Sequence, residues 1–191
     1  MTSPNTATTP LPLAPGRWTL DELHSTVGFA IRHLGISKVR GTFERFTVDT
    51  VVGDSLATSS VTAVVDVASL DTGNTDRDAH TLSPDLLDVA QRPELRFVST
   101  AVRADGDDWA LDGDLTIGGV TRPLTLALEL GGLEQFPMDG STHAGFEARG
   151  TIDRHDYDIQ FGPLDIGLGR KVEIVLDIQL VAPAAEPAPQ A

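Results

Sequence analysis

An all-β fold, an antiparallel barrel or sandwich of about eight strands, is the class this sequence predicts. Three observations carry that expectation. Apolar residues recur mainly with a period of two, the signature of strands with one buried face. Gly- and Asp-bearing turns separate the runs. One stretch, Ser69 to Leu82 (SLDTGNTDRDAHTL), breaks the alternation, so the crossover helices that parallel strands need are missing.

Met1 to Gly16 is rich in Thr, Pro and Ala and is expected to be a disordered tail, as is the Ala/Pro segment 182–191. The folded domain is expected over 17–181. Trp18 and Leu20 open a first strand. Val27, Phe29, Ile31 and His33 then share one face, with Thr26, Gly28, Ala30 and Arg32 on the other. Leu34-Gly35 turns the chain, and Gly41 to Val52 reads as the next extended stretch. Val61, Ala63, Val65 and Val67 form a strand that is apolar on most of both faces. The helical segment, near 75–89, has turn formers Asp71, Gly73 and Asn74 before it. Thr75 with Asp78 resembles a capping box, and Asp76 and Asp78 suit the positive end of the helix dipole. Arg77 opposes that dipole, so an acidic partner or an anionic ligand is expected beside it. Ser83-Pro84-Asp85 restarts a short turn, and Arg92-Pro93 ends it. Strands follow over Glu94–Ala104, Trp109–Ile117, Val120–Leu130, His143–Arg154 and Lys171–Val181, with Gly118-Gly119 as a hairpin turn.

The 191 residues suit one domain with a single core, and 40% of them are hydrophobic. Fourteen basic against 28 acidic residues give a formal charge of -14, which argues against a nucleic-acid groove and against broad contact with an anionic membrane face. No cysteine is present, so thiolate catalysis, disulfides and Cys-ligated metals are excluded. No run approaches the ~18–20 apolar residues of a spanning helix. The first residues lack the basic and apolar regions of a secretory signal, and a cytoplasmic location is expected. A homodimer is compatible with the sequence.

Catalytic constellations are thin. Five histidines occur, with neither an HxH pair nor HExxH. His33, His80, Asp153 and His155 are the residues a metal or acid–base enzyme would use, but strand alternation places Arg154, Asp156 and Asp158 opposite Asp153 and His155. No GxSxG elbow and no phosphate-cradling Gly loop is present, and Gly167-Leu168-Gly169 reads as a bend before the last strand. The strand faces instead offer Val, Leu, Ile and Phe interleaved with Ala and Gly. Such faces leave room for an apolar ligand with a small polar head. A filled core acting through its acidic surface is the remaining alternative.

An ordered set of motifs resembles the YceI-like family: Asp21-Glu22-Leu23-His24-Ser25-Thr26-Val27-Gly28-Phe29, Arg32-His33-Leu34-Gly35 and Val39-Arg40-Gly41-Thr42-Phe43. Ser69-Leu70-Asp71-Thr72-Gly73, Arg77-Asp78-Ala79-His80 and Pro93-Glu94-Leu95-Arg96-Phe97 follow. Gly113 to Pro123, Gly145-Phe146 and Ile152-Asp153-Arg154 complete it. The resemblance implies an extended, lipocalin-like antiparallel barrel with a helix by its mouth. It implies binding of a polyisoprenoid or similar lipid in the tunnel, with no catalytic residues and no cofactor besides that lipid. Well-known members are periplasmic and carry a signal peptide, from which this chain departs. Val27, Phe29, Ile31, Val65, Leu115, Leu126, Ile174 and Leu176 fall in the inward phase and are the expected ligand contacts. Arg32, Arg77, His80 and Arg154 are the expected polar groups near a head group, Arg32 only at a strand end because its phase is outward.

Overall fold

The computed structural model describes residues 12–184. Its strands are β1 (Gly16–Leu20), β2 (Thr26–His33), β3 (Ser37–Phe43), β4 (Phe46–Val52), β5 (Ser60–Asp66) and β6 (Leu70–Asp71). After the helix α1 (Thr75–Leu82) come β7 (Glu94–Asp105), β8 (Asp108–Ile117), β9 (Val120–Gln135), β10 (Thr142–Asp153) and β11 (Leu168–Val181).

Every strand pairing is antiparallel. Eight strands close a ring in the order β1-β4-β5-β7-β8-β9-β10-β11, with β11 returning to β1. Closure pairs both sides of these strands and confines the free edge to β3 and the two-residue β6. β11 is long enough to serve two neighbours on one side. Its final residues pair with β1 (Leu20 with Leu180), and its earlier ones pair with β2 (Phe29 with Ile174). β2, β3 and β6 extend the wall from there.

More strands occur than the alternation suggests because two runs are interrupted. A 3-10 turn, Glu22–His24, divides β1 from β2, and Asp21 caps it by accepting the Leu23 N–H. Ser25 ties that break to β11, donating to Asp21 O and accepting the Gln179 N–H at 2.9 Å. The stretch 41–52 splits into β3 and β4 where Ser69 Oγ accepts the Arg45 N–H. Gly118 and Gly119 make the β8–β9 turn with φ of 56° and 81°, a conformation favouring glycine.

The helix is shorter than the segment 75–89. It ends at Leu82, and residues 83–91 continue as turns. Asn74 rather than Thr75 is its cap, accepting the Arg77 N–H. The Asp78 carboxylate turns back to the loop instead, accepting from both the N–H and the hydroxyl of Thr72.

The largest buried cluster joins Phe97, Leu111, Leu115, Ile117, Leu124 and Leu126 to Tyr157 and Ile159. A second packs Leu13, Trp18, Val52, Ala144 and Leu180 at the β1 end. Leu13, within the stretch expected to be a disordered tail, is therefore part of the core. Trp18 Nε1 donates to Ala14 O at 2.9 Å, which fixes this approach to β1. The rest of the expected tails, 1–11 and 185–191, lies outside the described residues.

Candidate functional site

The inward faces of the strands do not meet. They enclose a cavity of about 450 Å³, inside the ~300–1,000 Å³ range of small-molecule sites. β11 contributes Leu168, Val172, Ile174, Leu176, Ile178 and Leu180 to its wall, so the lining follows about 40 Å of extended strand. The wall is almost wholly aliphatic and aromatic.

Glycines help keep it hollow. A Cβ at Gly41 would meet the Phe29 ring at 2.6 Å, and one at Gly113 would meet the Phe97 ring at 2.3 Å. Each ring occupies the space that a side chain at the glycine would need. Substitution at either glycine would push an aromatic ring inward.

Eleven of the twelve expected contacts line this cavity: Val27, Phe29, Ile31, Val65, Leu115, Leu126, Ile174, Leu176, Arg77, His80 and Arg154. Arg32 does not. Strand alternation turns it to the exposed outer face, beside Ala30 and away from Ile31.

The charged and imidazole side chains of the lining, Arg77, His80, Arg154 and His33, gather at the end of the barrel covered by α1, while Thr50, Ser59 and Ser60 lie toward the β1 end. Arg77 makes no salt bridge to a carboxylate among the described residues. Its Nε donates to Thr72 Oγ1 at 2.7 Å and its Nη2 to Thr72 O at 2.6 Å. Thr72 in turn donates to Asp78, so the carboxylate supports Arg77 through a hydroxyl. The His80 ring packs 5.5 Å from the Phe161 ring, joining α1 to the loop before β11.

Arg154 is more deeply committed than expected. It is only 2% exposed. Its guanidinium donates to the carbonyls of Gly169, Ile159 and Leu168 and pairs with Asp165 at 2.6 Å. It anchors the 158–169 segment to the barrel and leaves nothing obvious for a head group. The alternation read for this region fails because β10 ends at Asp153 and Arg154–Tyr157 forms a 3-10 turn. Asp165 accepts the Phe161 N–H as well as bonds from Arg154 and His155, and is held well below its ordinary 3.8, at about 2.

The residues weighed for catalysis do not converge. His155 pairs with Asp165, His80 packs on Phe161, and Asp153 is neutralised by Arg170 and Lys171. Among the described residues no three His, Asp or Glu side chains are grouped to hold a metal. Burial pushes the Tyr157 phenol up to about 12, so it stays protonated at neutral pH. No helix among the described residues is long and apolar enough to cross a membrane.

Sequence reasoning missed Phe161 and Leu168 in the lining and Asp165 as the centre of the mouth loop. Alternation could not have found them: Leu164-Asp165-Ile166 reads like a strand, but the segment before Leu168 is a turn and both apolar side chains are exposed.

Known proteins agree with this architecture. The Escherichia coli protein YceI (O6:H1 strain CFT073) is 38% identical over 158 residues, covering 82% of this chain and 81% of that protein. The crystal structure of Burkholderia cenocepacia BcnA has a TM-score of 0.75 at 21% identity, over 84% of this chain and 98% of that one. A polyisoprenoid-binding domain from Saccharophagus degradans, described as implicated in plant cell wall breakdown, has a TM-score of 0.62 at 14% identity, covering 89% and 100%. These two structures share the fold. The family model for the YceI-like domain matches residues 18–180, and the chain belongs to the YceI-like family.

Proposed function

We propose that the protein binds a long-chain amphiphile inside the barrel, a polyisoprenoid of the isoprenoid quinone or prenyl phosphate type, for storage, transport or sequestration. The observation that carries this reading is the apolar cavity of about 450 Å³ following the whole inward face of β11. Removing a hydrocarbon chain from water contributes about 25 cal/mol per Å² before the costs of binding, so a long chain binds without many directed hydrogen bonds. The polar end supplies a place for a small head group. Arg77 Nη1 makes no hydrogen bond among the described residues, and Arg77, His80 and His33 all reach the lining. The Saccharophagus degradans neighbour is named for polyisoprenoid binding, which supports the ligand class through a shared fold.

Native mass spectrometry of protein purified from its own host tests this. The expected spectrum shows a non-covalent long-chain lipid adduct, and added polyprenyl lipid displaces a fluorescent lipid probe. Leu176→Trp places an indole in the lumen and should abolish the adduct. In an already filled core such overpacking costs ~1–3 kcal/mol. Here the denaturation midpoint should barely move. Empty protein with no probe competition would overturn the reading.

A further inference from the structure

We propose that the α1 end of the barrel docks on an anionic lipid bilayer, inserting the β2–β3 turn and the loop before β11. Its role as the loading point for cargo rests on the function proposed above, whereas the docking itself does not.

Four large apolar side chains protrude there with no packing role. Leu34 and Ile36, in the β2–β3 turn, are 60% and 83% exposed, and Leu164 and Ile166, in the loop before β11, are 78% and 69% exposed. The two turns are neighbours. Leu34 N donates to Gly167 O at 2.7 Å, and His33 is in register with Leu168. A single exposed leucine needs no explanation, but four gathered on adjoining turns mark an interaction surface. The patch also adjoins the cavity, since His33, Phe161 and Leu168 line the lumen directly behind it.

Charge identifies the occupant. The chain carries -14 overall, yet the outer wall behind these tips is basic. Arg32 and Lys38 are cross-strand partners immediately behind the turn, and Arg40 pairs with Ala30 one step further. Arg170 and Lys171 follow the other loop. Against these five cations stand Glu173, bound to Lys38, and Asp153, bound to Arg170 and Lys171. Asp165, in the inserted loop itself, is held by Arg154 and His155. The other carboxylates of this end, Asp71, Asp76, Asp78, Asp85, Asp88, Asp156 and Asp158, lie on β6, α1, the turns after it and the turn after β10, not on β2, β3 or β11. Arg32 and Arg40 have no carboxylate within salt-bridge distance among the described residues. Apolar tips leading, with cations set behind them at head-group depth, is the arrangement by which proteins seat on anionic membranes. A neutral apolar partner would have no use for the cations.

Flotation of the full chain with vesicles tests the proposal. Binding is expected to phosphatidylcholine vesicles containing phosphatidylglycerol, not to phosphatidylcholine alone, and should weaken as salt shortens the Debye length. Ile36→Asp and Ile166→Asp should each reduce partitioning about tenfold or more. Replacing Arg32 and Arg40 by Gln should cost about fivefold each. Leu23→Asp, at the far end and 92% exposed, should change nothing. The substituted positions are exposed, and unchanged unfolding midpoints confirm intact folds. Equal flotation on both vesicle types, no flotation, or equal loss in Leu23→Asp would overturn the proposal. So would sedimentation showing that Ile36→Asp merely dissolves a self-associated form. The vesicles carry no isoprenoid, and adduct mass is measured separately. Loss of docking with the adduct retained refutes this inference, and docking without an adduct supports it while refuting the cavity reading.

Discussion

The two ends of the barrel are built on different physics. The β1 end is packed: Trp18 and Leu20 share the inward face with Thr50 and Leu180, and Leu13, Val52 and Ala144 close around them. The α1 end is wired: Arg154 and Asp165 gather three carbonyls, a backbone N–H and a histidine into one network, while Leu34, Ile36, Leu164 and Ile166 on its turns point outward. Apolar packing is non-directional and hard to open piecemeal. A hydrogen-bonded loop can exchange its partners for water and open locally at far lower cost. The β1 end is therefore a fixed floor, and the α1 end is the mouth that can open locally.

Breaking the floor should have the larger effect on stability. Trp18 is 2% exposed, and Trp18→Ala should cost about 3–5 kcal/mol in urea unfolding, with the whole barrel losing protection together. Breaking the wiring should cost less globally and act locally. Arg154→Ala removes one of the donors to Asp165 and the side-chain donor to three carbonyls, a loss of about 3 kcal/mol. Amide exchange should then accelerate over residues 158–169 and α1 while β1, β4 and the end of β11 stay protected. If Arg154→Ala instead unfolds the floor, the two ends are one cooperative unit and the contrast fails.

The same contrast explains what the sequence made legible. Wall positions announced themselves, because a strand with one wet and one apolar face must alternate, and Ile174, Leu176, Leu115 and Leu126 sit where that period places them. The mouth obeys no period. Arg154 reads as a polar group available to a head group until the chain turns at Asp153, and only the closed fold brings Gly169 and Asp165 within its reach. Arg77 called for an acidic partner or an anionic ligand, yet a threonine five residues earlier takes two of its donors and passes the support of Asp78 through a hydroxyl. Periodicity therefore specifies a wall, whereas hydrogen bonds between distant loops depend on the fold that brings them together. Leu34, Ile36, Leu164 and Ile166 lie in turns, where the alternation rule gives no expectation of burial or exposure.

Acid offers the gentlest test of the contrast. Asp165 sits at about 2 rather than 3.8, chiefly because the Phe161 N–H donates to it, with Arg154 and His155 adding to the effect. A depressed carboxylate contributes its stability above its unfolded value, and loses it as pH falls through the folded one. The mouth loop should therefore be fully tied at pH 5 and released progressively between about 3.8 and 2. Asp21, at the floor, is also held low, mainly by His24, but Leu13, Trp18 and Leu180 remain packed beside it when it protonates. Amide exchange across this range should show Phe161 to Gly167 loosening before β1. Asp165→Asn should loosen the same residues already at pH 5 and flatten their response to acid. A mouth and floor that titrate together, in both the parent chain and Asp165→Asn, would mean that the loop network is not the separate element described here.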